Sequence, residues 1–106
     1  MEINRTDEVL DFFLLELRRQ FGKHLKQIIL FGSRAREDWE PDSDYDCVVV
    51  LERISAESKN AIDEIAGEIL YQYGAVFSIF PVSESAYREQ AYNPFLMNVR
   101  KEGITL

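Results

Sequence analysis

Cysteine and histidine are almost missing from this chain of 106 residues: Cys47 and His24 are the single examples of each. One cysteine excludes an internal disulfide and a CxxC zinc site, and one histidine excludes a His-rich metal centre or a two-histidine acid–base pair. Proline and glycine are scarce, at three and five residues. No repeat, low-complexity tract or Pro/Gly/Ser linker divides the sequence, so residues 1–106 read as a single domain. The apolar runs are too short to cross a bilayer. The opening MEINRTDEVL is acidic and lacks the basic start and apolar core of a secretory signal. The expectation is a cytoplasmic protein with no membrane association. Basic residues are in the minority, 12 Lys plus Arg against 19 Asp plus Glu, for a net charge of −7. Such a surface repels phosphate backbones, which argues against direct nucleic-acid binding.

What is present patterns as an α+β chain. Over residues 6–20, Val9, Leu10, Phe13, Leu14 and Leu17 recur at helical spacing, with Thr6 read as N-cap and Asp7 and Glu8 placed against the helix dipole. Residues 27–31 (QIILF) and 45–51 (YDCVVVL) read as buried strands. Residues 55–73 form the clearest helix, ended by Gly74. Residues 75–82 (AVFSIFPV) give a third strand, whose Pro81 puts its end at an edge or beyond the ladder. Ser83 caps a short helix, Asn93 and Pro94 open another, and residues 104–106 offer a last strand. The sum is a small mixed β-sheet backed by helices on one face, with the other face left open for a ligand.

The stretch FGSRAREDWEPDSDYDCVVV, residues 31–50, carries the chemistry. Gly32 and Ser33 sit where a strand ends and a turn or helix begins. Gly32 lets the backbone approach a phosphate, and Ser33 with the amides after it can donate to phosphate oxygens. Asp44 and Asp46 follow at the start of the next strand. Residues two apart on a strand share a face, so the two carboxylates project together. A divalent cation relieves their repulsion, and an all-oxygen donor set favours Mg²⁺ or Mn²⁺ over zinc. Arg34 and Arg36 add positive charge to the same loop. The pieces suit a nucleoside triphosphate, with its tail on Gly32 and Ser33 and a metal bridging to Asp44 and Asp46.

On these residues the chain resembles the polymerase-beta-like nucleotidyltransferases, whose signature is G-S-x10-D-x-D running from one strand into the next. Its small size, and the ending PFLMNVRKEGITL, look like the minimal nucleotidyltransferases. The resemblance implies the nucleotidyltransferase fold, ATP as substrate, Mg²⁺ or Mn²⁺ on Asp44 and Asp46, and triphosphate contact at Ser33. It also implies a HEPN-domain ribonuclease toxin as partner, neutralised by transfer of AMP to a toxin tyrosine. The family's third carboxylate, on a later strand, has no counterpart between Ala75 and Val82. By alternation Ser78 stands at that place. A second reading therefore stays open, a catalytically degenerate binding module that neutralises its partner by contact alone.

Other features carry plainer readings. Residues 34–46 hold six acids and two arginines, a solubilising stretch that also suits a basic partner. His24 reads as a surface or capping residue and Cys47 as a small core residue facing away from the carboxylates. Trp39 reads as a loop anchor or a contact residue. Tyr87, Tyr92, Phe95 and Met97 read as helix packing, with some left for an oligomer or partner interface. Transfer to a small-molecule acceptor would need another wall for the pocket, which a homo-oligomer could supply. Polymerisation lacks a basic template channel.

Overall fold

The computed structural model describes residues 7–36, 40, 43–90 and 92–106. Helix α1 spans Glu8–Phe21. Thr6, expected as its cap, lies outside the described residues, and Asp7 caps the helix by accepting from the Leu10 N–H at 3.0 Å. The same carboxylate accepts the Tyr45 hydroxyl at 2.8 Å, so one side chain ties the helix start to the sheet. A 3-10 turn at Gly22–His24 leads into β1, Leu25–Phe31. A single turn of helix, α2 (Ser33–Arg36), opens the segment expected as a loop.

Strand β2 is Tyr45–Leu51, as the β-branched run predicts. Helix α3, Ala56–Tyr73, starts at a capping box in which Ser55 and Ser58 exchange side-chain and backbone hydrogen bonds. It ends at Gly74 in the left-handed conformation. Then come β3 (Phe77–Ser83), α4 (Glu84–Glu89, capped by Ser83), α5 (Pro94–Glu102, capped by Asn93) and the two-residue strand β4 (Ile104–Thr105). Among the described residues, no helix is long and apolar enough to cross a membrane.

The sheet runs β3-β2-β1-β4. β1 pairs antiparallel with both β2 and β4, whereas β3 lies parallel to β2 after the α3 crossover. β3 is an edge strand, where Pro81 is tolerated opposite Val49. Alternation splits β1 and β2 between two cores. Ile28, Leu30, Tyr45, Cys47, Val49 and Leu51 pack with Phe13 and Leu17 of α1 and Ile62, Ile65 and Ile69 of α3.

The opposite face departs from expectation. Val99 of α5 is fully buried against Ile29, Phe31, Val48 and Val50, with Tyr87 and Val82 beside them. Phe31, Phe80 and Phe95 form a mutual ring cluster with centroids 5.2–5.8 Å apart. The reason is simple: the apolar stripe of α5 needs a partner, and this was the uncovered apolar surface. Helices thus back one face fully and the other in part, leaving the end around Asp46 and Ser78 half-exposed.

Cys47 is completely buried in the first core, and burial pushes its thiol well above the usual range. The expected outcome is negligible reaction with an aromatic disulfide reagent in the native state and one equivalent in denaturant. Prompt native labelling would contradict this packing.

Candidate nucleotide-binding site

β1 delivers Phe31 opposite Asp46 of β2, so the chain must turn away at Gly32 beside that carboxylate. Gly32 takes φ +76°, and a Cβ built there would meet Asp46 Oδ2 at 2.4 Å. Only glycine admits the carboxylate that close. The Gly32 carbonyl accepts from the Ala35 and Arg36 amides, both at 3.1 Å, which starts α2 with Ser33 as its first residue.

Asp46 projects to the face opposite Tyr45. Burial raises its pKa above the ordinary value first, and the Asp44 charge adds to that; Arg36 pulls it down, and Glu102 pushes it up. Asp44, just before β2, is exposed and close enough to be felt electrically. Gly32, Ser33, Arg36, Asp44 and Asp46 are therefore brought to one end of the sheet. Arg34 is placed elsewhere. It donates to the Ser43 carbonyl through Nε at 3.3 Å and Nη2 at 3.0 Å, and its guanidinium lies 4.1 Å from the Tyr45 ring centroid. Tyr45 in turn stacks on Phe77 at 4.5 Å. Arg34 thus holds the approach to β2 on the Tyr45 side of the strand.

The parallel register pairs Asp46 with Ser78, as alternation predicts. A hydroxyl stands beside the half-buried carboxylate on the neighbouring strand. Glu102, the last residue of α5, is a site residue that the sequence reading passed over. Its Oε1 accepts from the Gly32 N–H at 3.1 Å, and both carboxylate oxygens lie 3.4 Å from Arg36 Nη1. The only local signal in the residues is Gly103 closing the helix right after it; in the fold a Cβ there would meet Ile29 Cγ2 at 2.4 Å, so this glycine seats the helix end directly on β1.

His24 sits at the other end of the sheet, exposed and 2.8 Å from the Glu52 carboxylate, in keeping with its surface reading. That hydrogen bond, more than the nearby charges, holds the Glu52 carboxyl below its usual range. Trp39 lies outside the described residues.

The donor set fits a hard divalent cation. The Asp44 charge adds to the cost of ionising the half-buried Asp46 carboxyl, and a cation between the two offsets it. Among the described residues no group of three or more His, Cys, Asp or Glu side chains is arranged to hold a metal ion. Two protein ligands suffice for magnesium, which ordinarily completes its octahedron with water and substrate phosphates.

The sequence model of the nucleotidyltransferase domain matches residues 10–96, which include this whole corner apart from Glu102. The chain belongs to the nucleotidyltransferase domain family. A candidate protein adenylyltransferase of Methanocaldococcus jannaschii is 32% identical over 94 residues, 89% of this chain and 90% of that protein. A second from the same organism is 28% identical over 102 residues, 93% of this chain and 69% of that protein. The fold is shared with a chain of a toxin–antitoxin crystal structure with AMP-PNP, at TM-score 0.63 and 20% identity over 88% of this chain and 68% of that one. It is shared too with a chain of the complex between tri-AMPylated Shewanella oneidensis HEPN toxin and its MNT antitoxin. There the TM-score is 0.56 and identity 17%, over 92% of this chain and 70% of that one. The nucleotidyltransferase fold expected from the G-S and D-x-D motif is thereby borne out.

Gly32→Ala is expected to destabilise the fold by about 2–3 kcal/mol, from the positive φ and the collision with Asp46 together. Gly74→Ala, at φ +67° with open space around it, isolates the backbone part at about 1 kcal/mol. Urea unfolding of both variants, with Gly32→Ala/Asp46→Ala as the relieved pair, measures the difference. Equal losses at the two glycines would remove the close approach from the account.

Proposed function

We propose that this nucleotidyltransferase transfers AMP from ATP to a tyrosine hydroxyl of a HEPN-type toxin and so acts as an antitoxin. The observation that carries the reading is the closure of the Gly32–Ser33 corner onto Asp46, with Asp44 alongside. The curated relatives, described as candidate protein adenylyltransferases, support the chemistry, and the AMPylated toxin complex supports the kind of acceptor.

In this reading Ser33 and the amides at the start of α2 receive the triphosphate, and Arg36 balances charge at its rim. Asp44 and Asp46 would hold Mg²⁺ or Mn²⁺, which when bound supplies charge neutralisation and in-line orientation at the α-phosphate. The tyrosine oxygen forms a bond to the α-phosphorus as the bond to the β-bridging oxygen breaks and pyrophosphate departs. The phenolic proton passes to solvent, because Ser78 is no base. Binding energy and positioning then carry the rate, without the general-base contribution of about 10²–10⁴-fold that a carboxylate adds.

Ser78 also favours a second reading, neutralisation by contact alone. The two separate cleanly. With α-labelled ATP, Mg²⁺ and a HEPN partner, the wild type is expected to label the partner. Asp44→Asn/Asp46→Asn is expected to abolish labelling and neutralisation while still binding the partner. Full neutralisation by the double variant would establish the contact reading instead. Ser78→Asp, beside Asp46 in register, is expected to raise the labelling rate by about 10²-fold. An unchanged rate in this variant would show that the proton is not what limits transfer.

A further inference from the structure

The Gly32 amide and the Arg36 guanidinium are the kinds of donor a phosphate oxygen takes, and in this chain both face the carboxylate of Glu102. The backbone next to Glu102 is fixed to the helix end and the sheet. The Gly103 N–H returns to the Val99 carbonyl at 2.7 Å, Ile29 leaves no room for a Cβ at Gly103, and Ile104 pairs with Leu30. The Glu102 side chain is only 20% exposed, and its charge is felt at Asp46.

We infer that Glu102 is an internal stand-in for phosphate, occupying donors of the nucleotide corner until the triphosphate displaces it. The inference rests on the proposed nucleotide site and adds a residue that sets its affinity. Displacement needs only rotation about the side chain's own torsions, so α5 and β4 stay in place. Binding is then an exchange of one anion for another on the Gly32 amide and Arg36. Its affinity falls below what those donors would give if Glu102 were neutral, and the displaced charge remains near enough to repel the phosphates.

Glu102→Gln tests this directly, since the amide keeps an acceptor for the Gly32 N–H and loses the charge. A neutral acceptor is roughly half as strong as a charged one, so MgATP is expected to bind about fivefold more tightly. Glu102→Ala, with no competitor, is expected to gain at least as much. Calorimetric titration of the intact chain with MgATP, without acceptor protein, reads both, and circular dichroism checks folding. A merely structural role predicts unchanged or weaker binding with a lower unfolding midpoint, and that result for Glu102→Gln overturns the inference. Ser33→Ala and Asp46→Asn keep the two proposals apart. If they weaken wild-type binding while Glu102→Gln fails to tighten it, the stand-in falls and the nucleotide site survives. If no form of the protein binds MgATP, or Ser33→Ala and Asp46→Asn leave binding untouched, both fall.

Discussion

A glycine pressed against a carboxylate is the constraint on which this structure turns. Gly32 can accept Asp46 within the space of a missing Cβ because β1 and β2 pair in a register that sets Phe31 opposite Asp46. That single approach fixes the start of α2, and with it the direction of Ser33 and Arg36. It also half-buries an acid in company with a second acid, an arrangement that costs stability through desolvation and like-charge repulsion. The sheet tolerates the cost because the same two strands carry an almost wholly buried apolar run from Cys47 to Leu51, packed on both sides.

Around this corner, neighbouring residues are divided between holding the scaffold and lining the proposed site. Asp7, Tyr45, Phe77 and Arg34 form a connected set that anchors the beginning of β2 from the helix-covered side. Asp46, Ser78 and Phe80 face the other way, towards the surface that α5 covers only in part. A one-residue slip in β2 would exchange the two sets, burying a carboxylate under α1 and α3 and exposing Tyr45. Stability and site geometry therefore depend on the same register.

Much of this was legible in the residues. The limits of β2, the long helix with its Gly74 stop, the caps at Ser83 and Asn93 and the facing of Cys47 all follow from local rules that tertiary contacts did not override. The Gly32–Ser33 and Asp44–Asp46 pairing was legible because spacing and strand alternation suffice to bring them together. Three things were not. The Asp7 cap is selected by a tyrosine 38 residues away. Arg34 and Arg36 look alike in sequence, yet the turn of α2 sends them to opposite sides of β2. Glu102 is separated from Gly32 by 70 residues, and its place depends on α5 folding over a sheet face expected to stay open. Each of these is a long-range contact with no periodicity to announce it.

The proline in β3 bears on how such a chain meets others. An outer strand normally presents a row of unsatisfied amides to any passing backbone, but Pro81 removes one of those donors near the middle of the ladder. Lateral growth of the sheet into a neighbour is thereby discouraged along that border. Contact with another molecule is left instead to side chains on the helices and on the partly covered face, where shape and charge rather than backbone pairing decide the fit.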